Sequence, residues 1–573
     1  MDLNYYTVIN FIAEIKLNNK IPEAEKLLIQ KPKIELHLKE DEHEFIAWGD
    51  PIMDAGFEER LSRNLKPEFI INNLYGHYYF LLHDKIKDIL YAGNSMFSIL
   101  PLYYNFNDGK LILSDNAIKA AHYLGLNKTS KRFVIETVLF NYPLFNNSIY
   151  EDIKLLPSNS YLLISGEEVK VFKHTCIEQW FELKPVPWKK VVSNICDIFL
   201  GSIEKYLPDQ HYAHSLTGGL DSRTLVSAGL YYGKKFSCYS FGTHESKDIQ
   251  IALKLSSFAE IPFINIALNE GYVKGESLGN GREFIENSSG KATFARAHYL
   301  YAAKILSENF NHIVTGNFGS EVFRAVHIAG VVISSNLFRI FYERKADKAW
   351  EKIEESEEFK CINKNIFKVE IEELKSDILK LPCYSREYSE LTKNQQFYVF
   401  VFEELFRKYF GAEMVNQFKY IKNRTPFLDI DFLKELLKTE LAGIHSEFFE
   451  HNPLKRYKGQ VLYAHLIKKA YPGFGKIVTD KGYCPEDLIK FSGKINIAAG
   501  YLKKNLKKSK RTEDPYSVMK SWENNKKIWF KTPINSELYD LNKINDKINK
   551  EILFKILSIS YIIEKHLCKV LRN

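Results

Sequence analysis

A chain of 573 residues is too long for one compact core, and its 45% hydrophobic and 26% charged residues are typical of ordinary globular proteins. The net charge of +8 is too small for this length to indicate nucleic-acid binding, and no stretch approaches the ~20 apolar residues that span a bilayer. Seven scattered cysteines without metal-ligand spacing are typical of a reducing compartment. We therefore expect a cytoplasmic protein of two or three domains, without nucleic-acid or membrane partners.

The first ~180 residues predict a β-rich domain. Short apolar runs indicate strands at 44–48, 78–82, 110–113 and 161–164, and helices are predicted near 18–30 and 131–140. Pro185 and Pro187 mark a linker. We accordingly predict one domain at residues 1–180 and a second at 188–573.

Beyond the linker, predicted strands alternate with predicted helices. The strands are at 212–216, 236–241, 262–268 and 312–315, and helices are predicted at 189–206, from Asp221, and at 247–258. This order indicates a parallel, doubly wound sheet, and the chain from residue 331 onward is predicted to be mostly helical. A basic run from Lys503 to Arg511 is either a solvated surface or a docking site for an acidic partner.

The segment H-S-L-T-G-G-L-D-S-R, residues 214–223, has the properties of an anion site. Its glycines allow a tight turn with inward amides, and the following helix adds positive potential at its N-terminus. Thr217 and Ser222 supply hydroxyl donors, while Asp221 is predicted to hold a Mg²⁺ that bridges phosphates. The Gly-Lys-Ser/Thr ending of the ATPase P-loop is missing. An ordinary capped turn is the alternative.

This segment resembles the pyrophosphate loop, S-G-G-x-D-S, of the N-type ATP pyrophosphatases, which cleave ATP between the α and β phosphates. The resemblance, with the end of the second predicted strand and the later glycine loop, implies a set of nucleotide-binding residues: Ser215, Leu216, Thr217, Gly218, Gly219, Leu220, Asp221, Ser222, Phe241 and Gly316.

Later segments resemble the asparagine synthetase superfamily, which includes β-lactam synthetases and lasso-peptide macrolactam cyclases. T-G-N-F-G-S-E-V-F (315–323) and R-T-P-F-L-D (424–429) are similar to its G-x-G-x-D-E-L-F and R-x-P-F-L-D blocks. G-H-Y-Y-F (76–80), L-P-L-Y-Y (100–104) and L-S-D (113–115) are similar to blocks of its glutaminase domain. The resemblance implies an α/β and α+β two-domain chain. An Ntn-hydrolase-like β-rich sandwich would precede a doubly wound parallel-sheet ATP pyrophosphatase domain (adenine nucleotide α-hydrolase-like) with a helical C-terminal extension.

The N-terminus departs from that family. A working glutaminase of this type uses an N-terminal cysteine as nucleophile, with its own α-amine as base. Here Met1 is followed by Asp2, and no cysteine occurs before Cys176. We therefore expect no glutamine hydrolysis.

The second departure is in the loop at 316–321. Asn317 stands where the family carries a glutamate or a tyrosine, and Ser320 stands where a magnesium-binding aspartate is usual. Glu321 matches, and it is predicted to be a metal ligand together with Asp221. Asn317 cannot act as a base near neutral pH, so another group is required. Three candidates, Glu403, Glu404 and Glu413, are left open.

Lys481, in T-D-K-G-Y (479–483), is predicted to stabilise the charge of pyrophosphate or of the tetrahedral intermediate, although a surface turn is the alternative. With Asn317 and Glu321 it completes the predicted catalytic set. Arg424 either serves the site or pairs with a buried acid.

Three functions follow, of which the first is favoured. An AMP-forming ligase would use ATP and Mg²⁺ to join a small-molecule or peptide carboxylate to an amine of the substrate, as in lactam, macrolactam or natural-product amide formation. An asparagine-synthetase-like enzyme would use ammonia or an external amine on a small acid or sugar carboxylate. A non-catalytic scaffold would retain only the fold.

Overall fold

The computed structural model describes residues 8–17, 20–324, 330, 332–450, 452, 458–506, 514–544 and 547–567. Two antiparallel sheets and one parallel sheet organise these residues into a mixed α/β structure. In this part of the chain, no helix combines the length and the apolar composition that crossing a bilayer requires.

The N-terminal part contains the two antiparallel sheets. Its strands are β1 Ile12–Lys16, β2 Leu28–Gln30, β3 Ile34–Lys39, β4 His43–Ile52, β5 Tyr75–Asp84, β6 Ile89–Asn94, β7 Tyr103–Asn107, β8 Lys110–Ser114, β9 Lys154–Leu155, β10 Ser160–Ser165 and β11 Glu168–Lys173. One sheet has the order β2-β1-β8-β7-β9 and the other β11-β10-β6-β5-β4-β3. Phe11, directly before β1 of the first sheet, packs 4.9 Å from Trp48 and 5.0 Å from Tyr79 of the second, measured between ring centroids. The apolar side chains between the sheets thus form the core of this part.

The parallel sheet follows. It consists of β12 Tyr212–Ser215, β13 Phe236–Gly242, β14 Phe263–Ala267, β15 His312–Val314 and β16 Lys422–Arg424. The spatial order is β14-β13-β12-β15-β16, and every pair is parallel. The strand order reverses between β12 and β15, and in open α/β sheets ligands bind outside the carboxyl ends of the strands at such a point.

Helices cover the parallel sheet and make up most of the rest of the described chain. They are α1 Phe57–Arg63, α2 Pro67–Asn73, α3 Ala117–Leu124, α4 Lys131–Phe140, α5 Trp188–Ile203, α6 Asp221–Tyr231, α7 Lys247–Phe258, α8 Ser277–Asn287, α9 His298–Ser307, α10 Gly319–Phe323, α11 Ser335–Tyr342, α12 Ala346–Glu354, α13 Glu357–Lys360, α14 Lys368–Ile378, α15 Lys393–Phe400, α16 Gly411–Phe418, α17 Ile430–Leu436, α18 Lys458–Ala470, α19 Gly493–Leu506, α20 Val518–Trp529 and α21 Lys550–Ile562. A π-helix, Val401–Phe410, joins α15 to α16.

Most of the predicted elements are confirmed. The helices at 131–140 and 247–258 have the predicted bounds, and the four predicted strands of the parallel sheet are present. The predicted helix near 18–30 is wrong in its described part. Residues Ala24–Leu27 form a single 3-10 turn and Leu28–Gln30 is a strand, because the apolar residues of this stretch fill the edge of a sheet rather than one helix face. Strand β16 was not predicted, since three residues are too few to show a period.

The predicted linker is an ordered part of the structure. The Val186 amide donates to the Lys438 carbonyl oxygen (2.9 Å), and the Glu440 amide donates to the Val186 carbonyl oxygen (3.0 Å). These bonds fix the start of α5 against the helical region after β16. The boundaries at 180 and 188 stay a prediction, as does the acidic partner of the basic run, most of which lies outside the described residues.

Candidate nucleotide and acyl-transfer site

The predicted anion loop lies between β12 and α6, at the switch point of the parallel sheet. The Thr217 amide donates to the Ser222 hydroxyl (3.0 Å), and the Gly219 amide donates to the Thr217 hydroxyl (3.2 Å). The Gly218 amide donates to Asp248 Oδ1 (3.0 Å), which occupies a donor that a phosphate oxygen could use. The loop is therefore closed by its own hydroxyls and by a carboxylate from α7.

The loop that follows β15 packs directly on the start of α6. A Cβ atom added at Gly319 would lie 2.7 Å from Asp221 Oδ1 and 2.7 Å from the Phe427 ring, closer than side-chain atoms approach. Only glycine fits there. The two sequence motifs, 99 residues apart in the chain at Ser320 and Asp221, are thus brought into contact.

Asp221 lies at the centre of this contact. Its carboxylate accepts hydrogen bonds from the Ser320 hydroxyl, at 3.1 Å to Oδ2, and from the Tyr463 hydroxyl. The Arg324 guanidinium donates to the same Ser320 hydroxyl, so a cation lies near the carboxylate. Ser320, at the position where the resemblance implies an aspartate, is a hydrogen-bond donor to Asp221 and not a third acid.

Glu321 is the second carboxyl group of the site. Burial, and next the charge of Asp221, raise its pKa to about 7. Each of these two carboxylates disfavours ionisation of the other, and a nearby cation would offset this repulsion. Mg²⁺ is commonly held by one or two carboxylates together with substrate phosphates. The donor chemistry of Asp221 and Glu321 thus fits the predicted magnesium, although no group of three or more His, Cys, Asp or Glu side chains arranged for a metal occurs among the described residues.

A cleft of about 210 Å³ opens beside the loop. Seven of the predicted residues line it: Ser215, Thr217, Asp221, Ser222, Phe241, Gly316 and Asn317. Seven other residues complete the lining: Tyr239, Ser240, Asp248, Tyr299, Thr315, Gln417 and Tyr516. Of the remaining predicted contacts, Leu216 and Leu220 bury their side chains in the core and present only backbone to the loop.

Of the three candidate glutamates, Glu413 is the one that contacts a residue lining this cleft. The Asn317 side-chain amide donates to Glu413 Oε2 at 3.4 Å, and the Arg296 guanidinium forms an ion pair with the same carboxylate. The other two candidates are engaged elsewhere. Glu403 pairs with Lys173 (2.7 Å) and Glu404 pairs with Arg407 (2.6 Å).

Arg296 is held in place by an aromatic side chain. Its guanidinium carbon lies 3.9 Å from the centroid of the Tyr409 ring, and Nη1 donates to the Tyr409 carbonyl oxygen (2.9 Å). Burial opposes its charge, but the charge of Glu413 raises the pKa of Arg296 above its usual range. A fixed cation therefore keeps one Glu413 oxygen occupied while Asn317 contacts the other.

The turn that carries Lys481 touches the anion loop. The Thr479 amide and hydroxyl donate to the Tyr483 carbonyl oxygen (2.9 and 2.8 Å), and the Asp480 amide donates to the Gly218 carbonyl oxygen (3.2 Å). The residue before Lys481 therefore contacts the predicted anion loop through its backbone. Its catalytic role stays a prediction.

Arg424 has the structural role that the sequence left open. Its Nε and Nη2 atoms donate to Asp50 of β4 at 2.8 and 3.1 Å, and His312 lies 3.5 Å from the same carboxylate. Burial opposes ionisation of Asp50, but the charge of Arg424, and next the hydrogen bond of His312, hold its pKa well below the usual range. Arg424 therefore ties the parallel sheet to the N-terminal part.

Several site residues were not predicted from the sequence. Tyr463 bonds to Asp221 across 242 residues, and Arg296 and Tyr516 come from segments without a motif. Asp248 alone had a local signal, an acid in the first turn of a helix after a parallel strand.

Comparisons with known proteins assign no family. No protein-family model matches the sequence, and no curated protein matches it. Among solved structures, glutamine phosphoribosylpyrophosphate amidotransferase from B. subtilis, complexed with ADP and GMP, is similar at 9% identity with a TM-score of 0.16. The match covers 52% of this chain and 66% of that one, so this chain spans less than two thirds of that protein's length. A TM-score this low supports no conclusion about fold or function, and the resemblance to the asparagine synthetase superfamily rests on the motifs alone.

Proposed function

We propose that the protein is an ATP-dependent ligase of the asparagine synthetase type, which adenylates a carboxylate and couples it to an amine. The observation that carries this proposal is that the anion loop, Asp221 and Asn317 line one cleft at the switch point of a parallel sheet, with Glu321 near Asp221 and Glu413 in contact with Asn317. An anion site and a proton acceptor beside one cleft suit acyl transfer through an acyl phosphate, the mixed anhydride of a carboxylate and a phosphate.

In the first step, a substrate carboxylate oxygen attacks the α-phosphorus of ATP, the bond to the β-phosphate oxygen breaks, and pyrophosphate leaves. Thr217 and Ser222, which present hydroxyls to the cleft, would bind the phosphates. A Mg²⁺ held by Asp221 and Glu321 would neutralise phosphate charge. Lys481, next to the residue that contacts the loop, would stabilise the leaving pyrophosphate.

In the second step, the amine attacks the acyl carbon, AMP leaves, and the amine loses a proton. Glu413 is the acceptor that we propose, because it is the one of the three candidate glutamates whose contacts reach the cleft. Asn317 would orient it and cannot replace it as a base. We propose that the amine comes from the substrate itself.

The nucleotide and phosphate products that the protein forms from ATP test the proposal. The purified protein is incubated with MgATP labelled in the α-phosphate and a small-molecule extract of its source cells. Labelled AMP and free pyrophosphate are expected, and Asp221→Asn should abolish both. Asp197→Asn, whose side chain is 58% exposed in a surface pair with Lys469, is the matched control and should retain activity. Labelled ADP with inorganic phosphate would refute the proposal.

A further inference from the structure

The cleft beside the anion loop lies at the carboxyl ends of the parallel strands, so its lining can be described strand by strand. The anion loop follows the central strand β12, and Asn317 follows β15 on one side of it. At the carboxyl end of β13, the cleft is lined by the aromatic rings of Phe241, of Tyr299 in α9 and of Tyr516. The aromatic rings therefore form one wall of the cleft next to the anion loop.

Tyr516 comes from the C-terminal extension, far from the other lining residues in sequence. The Thr243 amide donates to the Pro515 carbonyl oxygen (3.0 Å), and the Ser517 hydroxyl donates to the Leu268 carbonyl oxygen (2.5 Å). These bonds fix the segment at the carboxyl ends of β13 and β14. Gly242 has a φ of +153°, and a Cβ added there would meet the Pro515 oxygen at 3.2 Å, so glycine allows this approach.

Helix α20 anchors the segment on its other side. The Asn525 side-chain amide donates to the Ser277 hydroxyl of α8 (2.8 Å), and the Trp529 ring stacks on Phe294 with 4.3 Å between centroids. Tyr516 is thus held between two fixed attachments, and its backbone position does not depend on a ligand.

The ring of Tyr516 is supported on one face and accessible elsewhere. It is stacked on His298, with 4.8 Å between centroids and 12° between planes, and Phe241 lies 6.2 Å away. It is 37% exposed, whereas Tyr239, which lines the same cleft, is 3% exposed. Its hydroxyl makes no hydrogen bond to any residue in the described ranges. An aromatic ring backed by a buried histidine and open to a ligand cleft is a stacking surface.

We propose that Tyr516 stacks on the nucleobase of the bound nucleotide, so that the C-terminal extension supplies the base-recognition wall of the site. This rests on the proposed function, because a nucleotide with phosphates at the β12 loop and its acyl partner at β15 must extend its base toward β13. Phe241 would contact the base edge, and Tyr516 would cover its face.

Two probes, one with and one without a nucleobase, distinguish the contribution of the base to binding from that of the phosphates. MgATP and magnesium tripolyphosphate are titrated calorimetrically into the full-length wild type and into Tyr516→Ala, Tyr516→Leu and Tyr516→Phe. Removing one aromatic stacking partner commonly weakens binding by about 5- to 150-fold. We expect Tyr516→Ala and Tyr516→Leu to weaken MgATP in that range without changing the affinity for tripolyphosphate. Tyr516→Phe should bind both probes like the wild type.

Tyr516→Leu keeps most of the side-chain volume and guards against loss of folding in the alanine variant. Met519→Ala is the matched control, since Met519 is 40% exposed in the same segment and does not line the cleft. Unchanged MgATP affinity in both Tyr516→Ala and Tyr516→Leu, or equal weakening of both probes, would overturn the role of Tyr516 and leave the proposed function standing. A wild type that binds neither probe would overturn both.

Discussion

The side-chain amide of Asn317 lies 3.4 Å from Glu413 Oε2, across 96 residues of sequence. Asn317 follows a strand of the parallel sheet, and Glu413 belongs to α16, directly after the π-helix Val401–Phe410. Since π-helical insertions shift the angular position of the residues that follow, the π-helix affects which glutamate of this long helical stretch contacts Asn317.

This contact predicts a selective effect of Glu413→Gln. The substitution keeps the shape of the side chain but removes its ability to accept a proton, so amide formation should fall by about 10²- to 10⁴-fold. MgATP affinity should change little, because the phosphate loop is untouched. Single-turnover formation of the amide measures the rate, and calorimetric titration of MgATP measures the affinity.

Glu403→Gln is the matched control, because Glu403 pairs with Lys173 outside the cleft. Its single-turnover rate should equal that of the wild type. Equal rates for Glu413→Gln and Glu403→Gln would remove Glu413 from the mechanism.

The contact between Gly319 and Asp221 predicts that Gly319→Ala is not tolerated. The added methyl would lie 2.7 Å from Asp221 Oδ1, so either the loop or the carboxylate must move. A displacement of about 1 Å commonly costs about 10²-fold in rate. Gly279→Ala, in α8, is the control because nothing lies within 4 Å of its added Cβ, and it should be neutral or slightly stabilising. Steady-state rates of the two variants, with circular dichroism spectra, decide the outcome. A Gly319→Ala protein with wild-type activity would contradict the close packing.

Local patterns predicted the anion loop, because strand, turn and helix follow one another within ten residues and each has its own signal. Contacts across the chain could not be predicted in this way. Arg424 reaches Asp50 across 374 residues, and Tyr463 reaches Asp221 across 242. Such pairs depend on how sheets and helices pack, which no period in the sequence records. For the same reason, the choice of Glu413 over its neighbours required the structure.

The buried pair of Arg424 and Asp50 predicts a large loss of stability in Arg424→Ala. The variant leaves the Asp50 carboxylate, 3% exposed, without its bidentate partner. Removing one member of a buried pair commonly costs about 3–5 kcal/mol of unfolding free energy. Arg63→Ala is the control, since Arg63 and Glu59 form an exposed pair whose loss should cost at most about 0.5 kcal/mol. Urea unfolding of both variants gives the comparison, and similar losses would show that Arg424 does not support the contact between the two parts.

The position of Lys481 beside the loop predicts an effect on rate without an effect on affinity. Losing a charge-assisted donor to a developing anion commonly costs about 10²- to 10³-fold, so Lys481→Ala should lower kcat by this factor. Its MgATP affinity and Tm should stay close to those of the wild type. Lys481→Arg should recover only part of the rate because the guanidinium has a different shape.

Lys476→Ala changes an exposed lysine five residues earlier and is the control. A single-turnover rate of Lys481→Ala equal to that of Lys476→Ala would assign Lys481 to a surface turn.

The burial of Lys291, a residue outside the cleft, predicts that the free energy of unfolding depends on pH. It is 3% exposed, its Nζ has no hydrogen-bond partner within the described structure, and the Tyr103 ring centroid lies 5.3 Å away. Burial, and then the charges of Arg407 and Lys408, lower the pKa of Lys291 to about 7 from 10.5. Between these pH values the unfolded chain holds more protons at this residue than the folded chain does. The contribution of Lys291 to stability is therefore fully present above pH 10.5 and is lost as the pH falls toward 7, by up to about 1.4 kcal/mol per pH unit.

Lys291→Met removes this dependence, so the stability of the variant relative to the wild type should rise as the pH falls from 10 to 7. Urea unfolding at pH 7, 8, 9 and 10 measures the difference, with Lys16→Met, an exposed lysine whose side chain is 67% accessible, as the control. A stability difference between Lys291→Met and the wild type that is constant across these pH values would mean that Lys291 is charged in the folded protein throughout, and that its amine has a partner in solution.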